Sequence, residues 1–149
     1  MDFNRQISRR LHEEHEATLA LWNRFEQAAG ARTWPPEVEL LRRCAAALAQ
    51  EVSHHFEFEE TELFPRLADA GEGDIAELLT EEHAAIRAAA RAFSAALETE
   101  DWRQLKTSGL ELSERLVGHV QKEEMSLLPA IEDLLDEETD AQLALAYAG

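Results

Sequence analysis

The sequence predicts an all-α protein: an up-down-up-down four-helix bundle with a short C-terminal helical tail. Three observations carry that expectation. Ala, Leu, Glu, Arg and Gln dominate the 149 residues, and β-branched residues are scarce. Glycine and proline fall in a few places that divide the chain into four long segments. Within each segment apolar residues recur at helical spacing.

The first segment runs from about Phe3 to Ala29 and stops at Gly30, a C-cap. Trp34-Pro35-Pro36 makes a stiff connector, with Pro36 placed to open the next helix. The second segment, Glu37 to about Phe64, ends or kinks at Pro65. Gly71 and Gly73 mark a turn, and Asp74 is a good N-cap for a third segment reaching about Glu98. The fourth runs from about Asp101 to Leu128, where Pro129 acts as Pro65 does. Asp136 to Ala148 forms the tail, packed across one end of the bundle. The expectation is a single domain over residues 1–149, built from two helical hairpins at about 3–70 and 74–135.

Composition excludes several classes of function. There are 31 acidic residues against 14 Lys plus Arg, a formal charge of −17. Such a surface repels phosphate backbones and anionic lipid, so neither nucleic acid nor a membrane surface is an expected partner. The lone Cys44 rules out an intrachain disulfide and any multi-cysteine metal site. No apolar run reaches the roughly 18 residues of a membrane span, and the first residues contain no apolar signal-peptide core. A reducing, cytoplasmic setting is the expected one.

The chain repeats itself. H-F-E-F-E-E-T-E-L-F-P-R-L-A-D begins at His55, and H-V-Q-K-E-E-M-S-L-L-P-A-I-E-D begins at His119. L-H-E-E-H-E-A around His15 likewise matches L-T-E-E-H-A-A around His83. Each half thus offers one lone His on its first helix and one H-x-x-x-E on its second, which implies a pseudo-twofold arrangement. At 100° per residue Glu59 lies about 40° from His55, on the face that also carries Leu41, Leu48 and Val52. His119 and Glu123 share a face with Leu105, Leu112 and Leu116 in the same way. His15 lies among Leu11, Thr18, Leu19 and Trp22, and His83 among Leu79, Ile86 and Ala90.

Four imidazoles and two carboxylates therefore point into the bundle. Burying carboxylates without compensation costs several kcal/mol each, and no Lys or Arg shares those stripes. A lone inward His is more often a hydrogen-bonded core residue, and a single H-x-x-x-E is weak. Two matched copies of both favour metal. Two octahedral ions offer about twelve positions: four His, two bridging carboxylates and one bridging oxide or hydroxide fill all but about one on each ion. The mixed N/O set suits two iron ions best, with manganese or zinc as alternatives.

On these motifs (E-E-H at His15, H-F-x-x-E-E at His55, E-E-H at His83 and H-V-x-x-E-E at His119) the chain resembles the haemerythrin-like, HHE cation-binding domain family, over roughly Ile7 to Leu135. The resemblance implies a four-helix bundle around a non-haem di-iron centre. Its ligands would be His15, His55, Glu59, His83, His119 and Glu123, with Glu59 and Glu123 bridging. The implied partner is dioxygen, nitric oxide or another small ligand, bound for sensing, storage or iron handling. A di-iron redox enzyme, reducing peroxide or nitric oxide or acting like a ferroxidase, is the alternative. A metal-stabilised structural bundle is another. Oxygen-carrying members place a further His one turn after the third-helix His, and here that residue is Arg87. This departure weakens reversible oxygen transport as the role. His12, about 60° round the helix from His15, is expected in solvent or behind the ligands.

Four other residues carry expectations. Glu51-x-x-His54 has the spacing of ferritin-like di-iron sites but occurs once. His54 is expected on a flank, Glu62 on the inner stripe beside Glu59, and Cys44 as a buried, inert thiol.

Overall fold

The computed structural model describes residues 2–149. It is all-α, and no strand occurs among the described residues. Helix α1 (Gln6–Ala29) is followed by α2 (Val38–Gln50), α3 (Phe64–Leu67), α4 (Gly73–Glu98), α5 (Trp102–Lys122), α6 (Leu128–Leu134) and α7 (Glu137–Ala148). Neighbours pack in a ring, α1 on α2, α2 on α4, α4 on α5 and α5 back on α1, which is the expected four-helix bundle.

Two long rods are not plain α-helix. Beyond α2 the chain stays helical through π-helical stretches at Glu51–Phe56 and Glu59–Leu63 and passes Pro65 into α3. Beyond α5 a π-helical turn at Glu123–Leu127 leads past Pro129 into α6. Of the two outcomes expected at Pro65 and Pro129, an end or a kink, the end does not occur: each rod stays helical past its proline, locally distorted into a wider turn. A proline lacks an N–H and its ring crowds the carbonyl four residues back. A wider turn just before it relieves both. The Phe64 N–H reaches back five residues to the Glu59 carbonyl, and the Leu128 N–H does the same to Glu123. The first rod closes at Gly71, whose φ of 92° is left-handed and favours glycine.

Two boundaries and one packing position differ from expectation. Helix α2 opens at Val38 with Glu37 at its N-cap, so Pro36 lies outside it. Helix α4 opens at Gly73 with Glu72 at the cap, which puts Asp74 inside the first turn, where its charge complements the helix dipole. Helix α7 does not cross an end. It runs beside the first half of α1, where Asp140 accepts from the Gln6 and Ile7 N–H groups at 2.8 and 3.0 Å and so caps α1. Asp101 and Asp136, where the fourth segment and the tail are expected to start, are the N-caps of α5 and α7, accepting from the Gln104 and Thr139 N–H groups.

The core is in two parts. One apolar cluster gathers Ile7, Leu11, Leu63, Leu79, Leu127 and Ile131. The other gathers Trp22, Phe25, Leu48, Phe93, Leu112 and Leu116. On every rod the inward His and Glu side chains fall between the two, in a buried polar layer. Cys44 is buried in the second cluster, and burial pushes its thiol up to about 11, as expected of an inert core cysteine.

Candidate metal centre

Each rod delivers its residues to one level. Helix α1 brings His15 and α4 brings His83. The π-helical stretches after α2 bring His55 and Glu59, α5 brings His119 at its end, and Glu123 opens the wide turn that follows. Glu59 and Glu123 each stand first in a π turn, six residues before a proline. The structure brings all six residues named from the sequence together, none more than 3% exposed.

Their nitrogens and oxygens converge. His15 Nε2 lies 2.9 Å from Glu123 Oε1, and His55 Nε2 lies 3.0 Å from Glu59 Oε2. His83 Nε2 is 3.1 Å from Glu59 Oε1, and His119 Nε2 is 3.0 Å from Glu123 Oε2. The two nitrogens His83 Nε2 and His119 Nε2 are themselves 3.1 Å apart. The atoms form two quartets: His15, His55, Glu59 and Glu123 in one, and Glu59, His83, His119 and Glu123 in the other. Each quartet takes both imidazoles from one hairpin, and the same two carboxylates belong to both.

A ring of outer carboxylates stands behind the imidazoles. Glu124 lies 2.7 Å from His15 Nδ1, Glu14 3.0 Å from His55 Nδ1, Glu60 2.7 Å from His83 Nδ1 and Glu82 2.8 Å from His119 Nδ1. Glu51 also approaches His55 Nδ1, at 3.2 Å. A carboxylate only accepts, so each Nδ1 carries a proton and a neutral ring presents a bare lone pair at Nε2. Lone pairs of nitrogen and oxygen then face one another across the centre. Glu59 Oε1 and Glu123 Oε2 are buried with no hydrogen-bond donor, although imidazole nitrogens stand about 3 Å away.

Such a cluster needs positive charge, from protons or from cations. Without a metal the protons supply it. Burial by itself disfavours imidazolium, but Glu123 and Glu124 outweigh it and lift His15 to about 9. His119 rises to about 10 because the Glu123 carboxylate outweighs the same burial penalty. His55 is raised well above the ordinary histidine value, and Glu123 falls well below the ordinary carboxylate value despite its burial. A metal cation would take the place of these protons.

A model of the hemerythrin HHE cation-binding domain matches residues 6–131. The chain belongs to that family. No curated protein matches it closely enough to count as a relative. The family is one of cation-binding domains, and the buried His/Glu cluster of this haemerythrin-like domain fits a metal site.

Sequence reasoning missed the outer ring. Its trace was present, because Glu14 and Glu82 precede a His while Glu60 and Glu124 follow a Glu in both halves of the repeat. A residue one step from an inward position sits about 100° round the helix and there meets the neighbouring rod. Arg87, in the place of the extra histidine, forks onto Glu60 at 2.6 and 3.1 Å. His12 stands behind the layer on Glu124 at 2.6 Å. His54 is half-buried, stacked on Tyr147 with centroids 4.2 Å apart. Glu62 does not reach the inner stripe. It is partly exposed and pairs with Arg66 at 3.0 Å, because a π turn advances less than 100° per residue and carries it outward.

Proposed function

We propose that the chain is a non-haem di-iron protein that binds dioxygen, nitric oxide or another small diatomic ligand, for sensing, storage or iron handling. The observation that supports this most is the pair of quartets sharing Glu59 and Glu123. In this reading His15 and His55 would hold one ion, His83 and His119 would hold the other, and Glu59 and Glu123 would serve both. Four protein donors per ion leave positions for solvent, oxide or hydroxide and for the small ligand, and mixed N/O donors suit iron, with manganese or zinc as alternatives. A pair of ferrous ions, when bound, supplies both open positions and electrons for such a ligand.

The chain's own residues do the rest. Glu14, Glu60, Glu82 and Glu124 hold the Nδ1 protons and so aim each Nε2 inward. Phe56 stacks on His83 with centroids 3.7 Å apart, and Phe64 lies 5.2 Å from the same ring. These rings and the apolar clusters on either side keep bulk water from the layer. Every one of the six residues is enclosed, which favours a binding or sensing role over a site open to a large substrate. No helix among the described residues is long and apolar enough to cross a membrane, and a buried free thiol suits the reducing cytoplasm we propose as its setting.

The test is metal analysis followed by spectroscopy. Protein made with iron in the medium should hold about two irons per chain, and its reduced form should change its absorption on meeting air or nitric oxide. Recovery of the ligand unchanged on release marks a binding protein, and its disappearance with turnover marks the redox enzyme. Fewer than two metals per chain, or no spectral response to either gas, contradicts the proposal.

A further inference from the structure

The two halves of the repeat match at the six inward residues but not in the charges placed behind them. Four positions show it. Glu51, one turn before His55, corresponds to Arg115 before His119. Phe58, three residues after His55, corresponds to Lys122. Leu19, four after His15, corresponds to Arg87. Arg10, five before His15, corresponds to Leu78.

In space these differences fall on the outer ring. Behind His83 and His119 stand two carboxylates, and each has a fixed cation on it. Arg87 forks onto Glu60, and the Lys122 ammonium contacts Glu82. Behind His15 and His55 stand three carboxylates: Glu124, Glu14 and Glu51. Among the described residues their one fixed cation is Arg10, on Glu14 at 2.9 Å. The remaining partners carry no fixed charge: Tyr147 donates to Glu14 at 2.5 Å, Thr18 to Glu51 at 3.3 Å, and His12 faces Glu124. Fixed charge behind the first pair of imidazoles is −2 when Glu51 is ionised and −1 when burial, which raises that carboxyl above the ordinary value, keeps it protonated; behind the second pair it is 0. Glu59 and Glu123 are common to both positions and cancel from the comparison.

We infer that the two cation positions are unequal, that the His15/His55 position fills first, and that Arg87 and Lys122 are the residues that weaken the His83/His119 position. This rests on the two-metal reading above. A dication feels one to two more negative charges at the first position, close enough and buried enough for roughly a tenfold or larger difference in affinity. Chemically similar donors on the inside are thus given an order by the charges outside. A centre loaded stepwise passes through a one-metal form, with its vacancy on the α4–α5 side.

The test uses zinc alone, which has no redox chemistry to confuse the reading, added to metal-free protein. Calorimetry should show two steps at least about tenfold apart in affinity. With one equivalent of zinc, nitrogen NMR of the histidine rings should show the signature of metal-bound nitrogen at His15 and His55 and not at His83 and His119. Arg87→Gln with Lys122→Gln should tighten the second step several-fold and leave the first nearly unchanged. Glu51→Gln should weaken the first. Two zinc ions bound in one indistinguishable step, or the metal-bound signature appearing first at His83 and His119, overturns the inference and leaves the two-metal reading standing. No zinc bound at the histidines overturns both.

Discussion

The bundle has two kinds of interior. Around Trp22, Phe25 and Phe93 the packing is apolar and aromatic, with ring centroids 5.3–5.8 Å apart, and burial alone stabilises it. One layer away, four imidazoles and two carboxylates are buried as deeply, and two of their oxygens find no donor. The first region needs nothing from outside the chain. The second is complete only with added positive charge. The same helices build both, so the layer's composition is held by the apolar packing on either side and not by its own stability. That division predicts which substitutions act through metal and which through packing.

The largest effect should come from the shared carboxylates. Glu59→Ala or Glu123→Ala should remove at least one metal per chain, read by metal analysis, while far-ultraviolet dichroism stays helical. If both variants keep two metals, the bridging assignment is wrong. In the apolar region Phe93→Ala should cost about 3–5 kcal/mol of stability in a denaturant titration and leave the metal content of the folded protein unchanged. Gly109→Ala should cost about 1–3 kcal/mol, because a Cβ there runs into the Phe25 ring and the core must shift to admit it. Loss of metal from folded Gly109→Ala protein would show that the two regions are not separable.

The pH dependence sharpens the same contrast. In metal-free protein His15 titrates at about 9 and His119 at about 10, both above the ordinary 6.5. A folded value raised above the unfolded one gives stability that is complete below about pH 6.5 and lost as pH climbs through 9 to 10. The melting temperature of metal-free protein should therefore fall over that window. Metal affinity should rise over it, since protons and cations compete for the same nitrogens. A melting temperature that rises from pH 6.5 to 10 contradicts the charge account of the layer. The smallest effect is expected at Tyr147→Phe. It removes the hydroxyl on Glu14, should cost about 1 kcal/mol, and should leave metal content intact.

Helical periodicity made the inner layer legible. His55 with Glu59, and His119 with Glu123, share a face with core leucines at any reasonable phase. The outer glutamates were not legible, because one residue on from an inward position a Glu reads as solvated unless the neighbouring helix is already in place. Pro65 and Pro129 read as ends or kinks without deciding between them; the chain absorbs each in a π turn, and that turn also shifted the phase enough to misplace Glu62. The bed of α7 was unreadable for a different reason. Asp140 on the start of α1 and Tyr147 on Glu14 are contacts across more than 130 residues, which no local pattern reports.

The central claim is that six buried side chains enclose two cations that share two carboxylates. Anomalous scattering at the iron edge from crystals of iron-loaded protein tests it directly. Two peaks are expected, one among His15, His55, Glu59 and Glu123 and one among Glu59, His83, His119 and Glu123. A single peak, or peaks away from these side chains, contradicts the account.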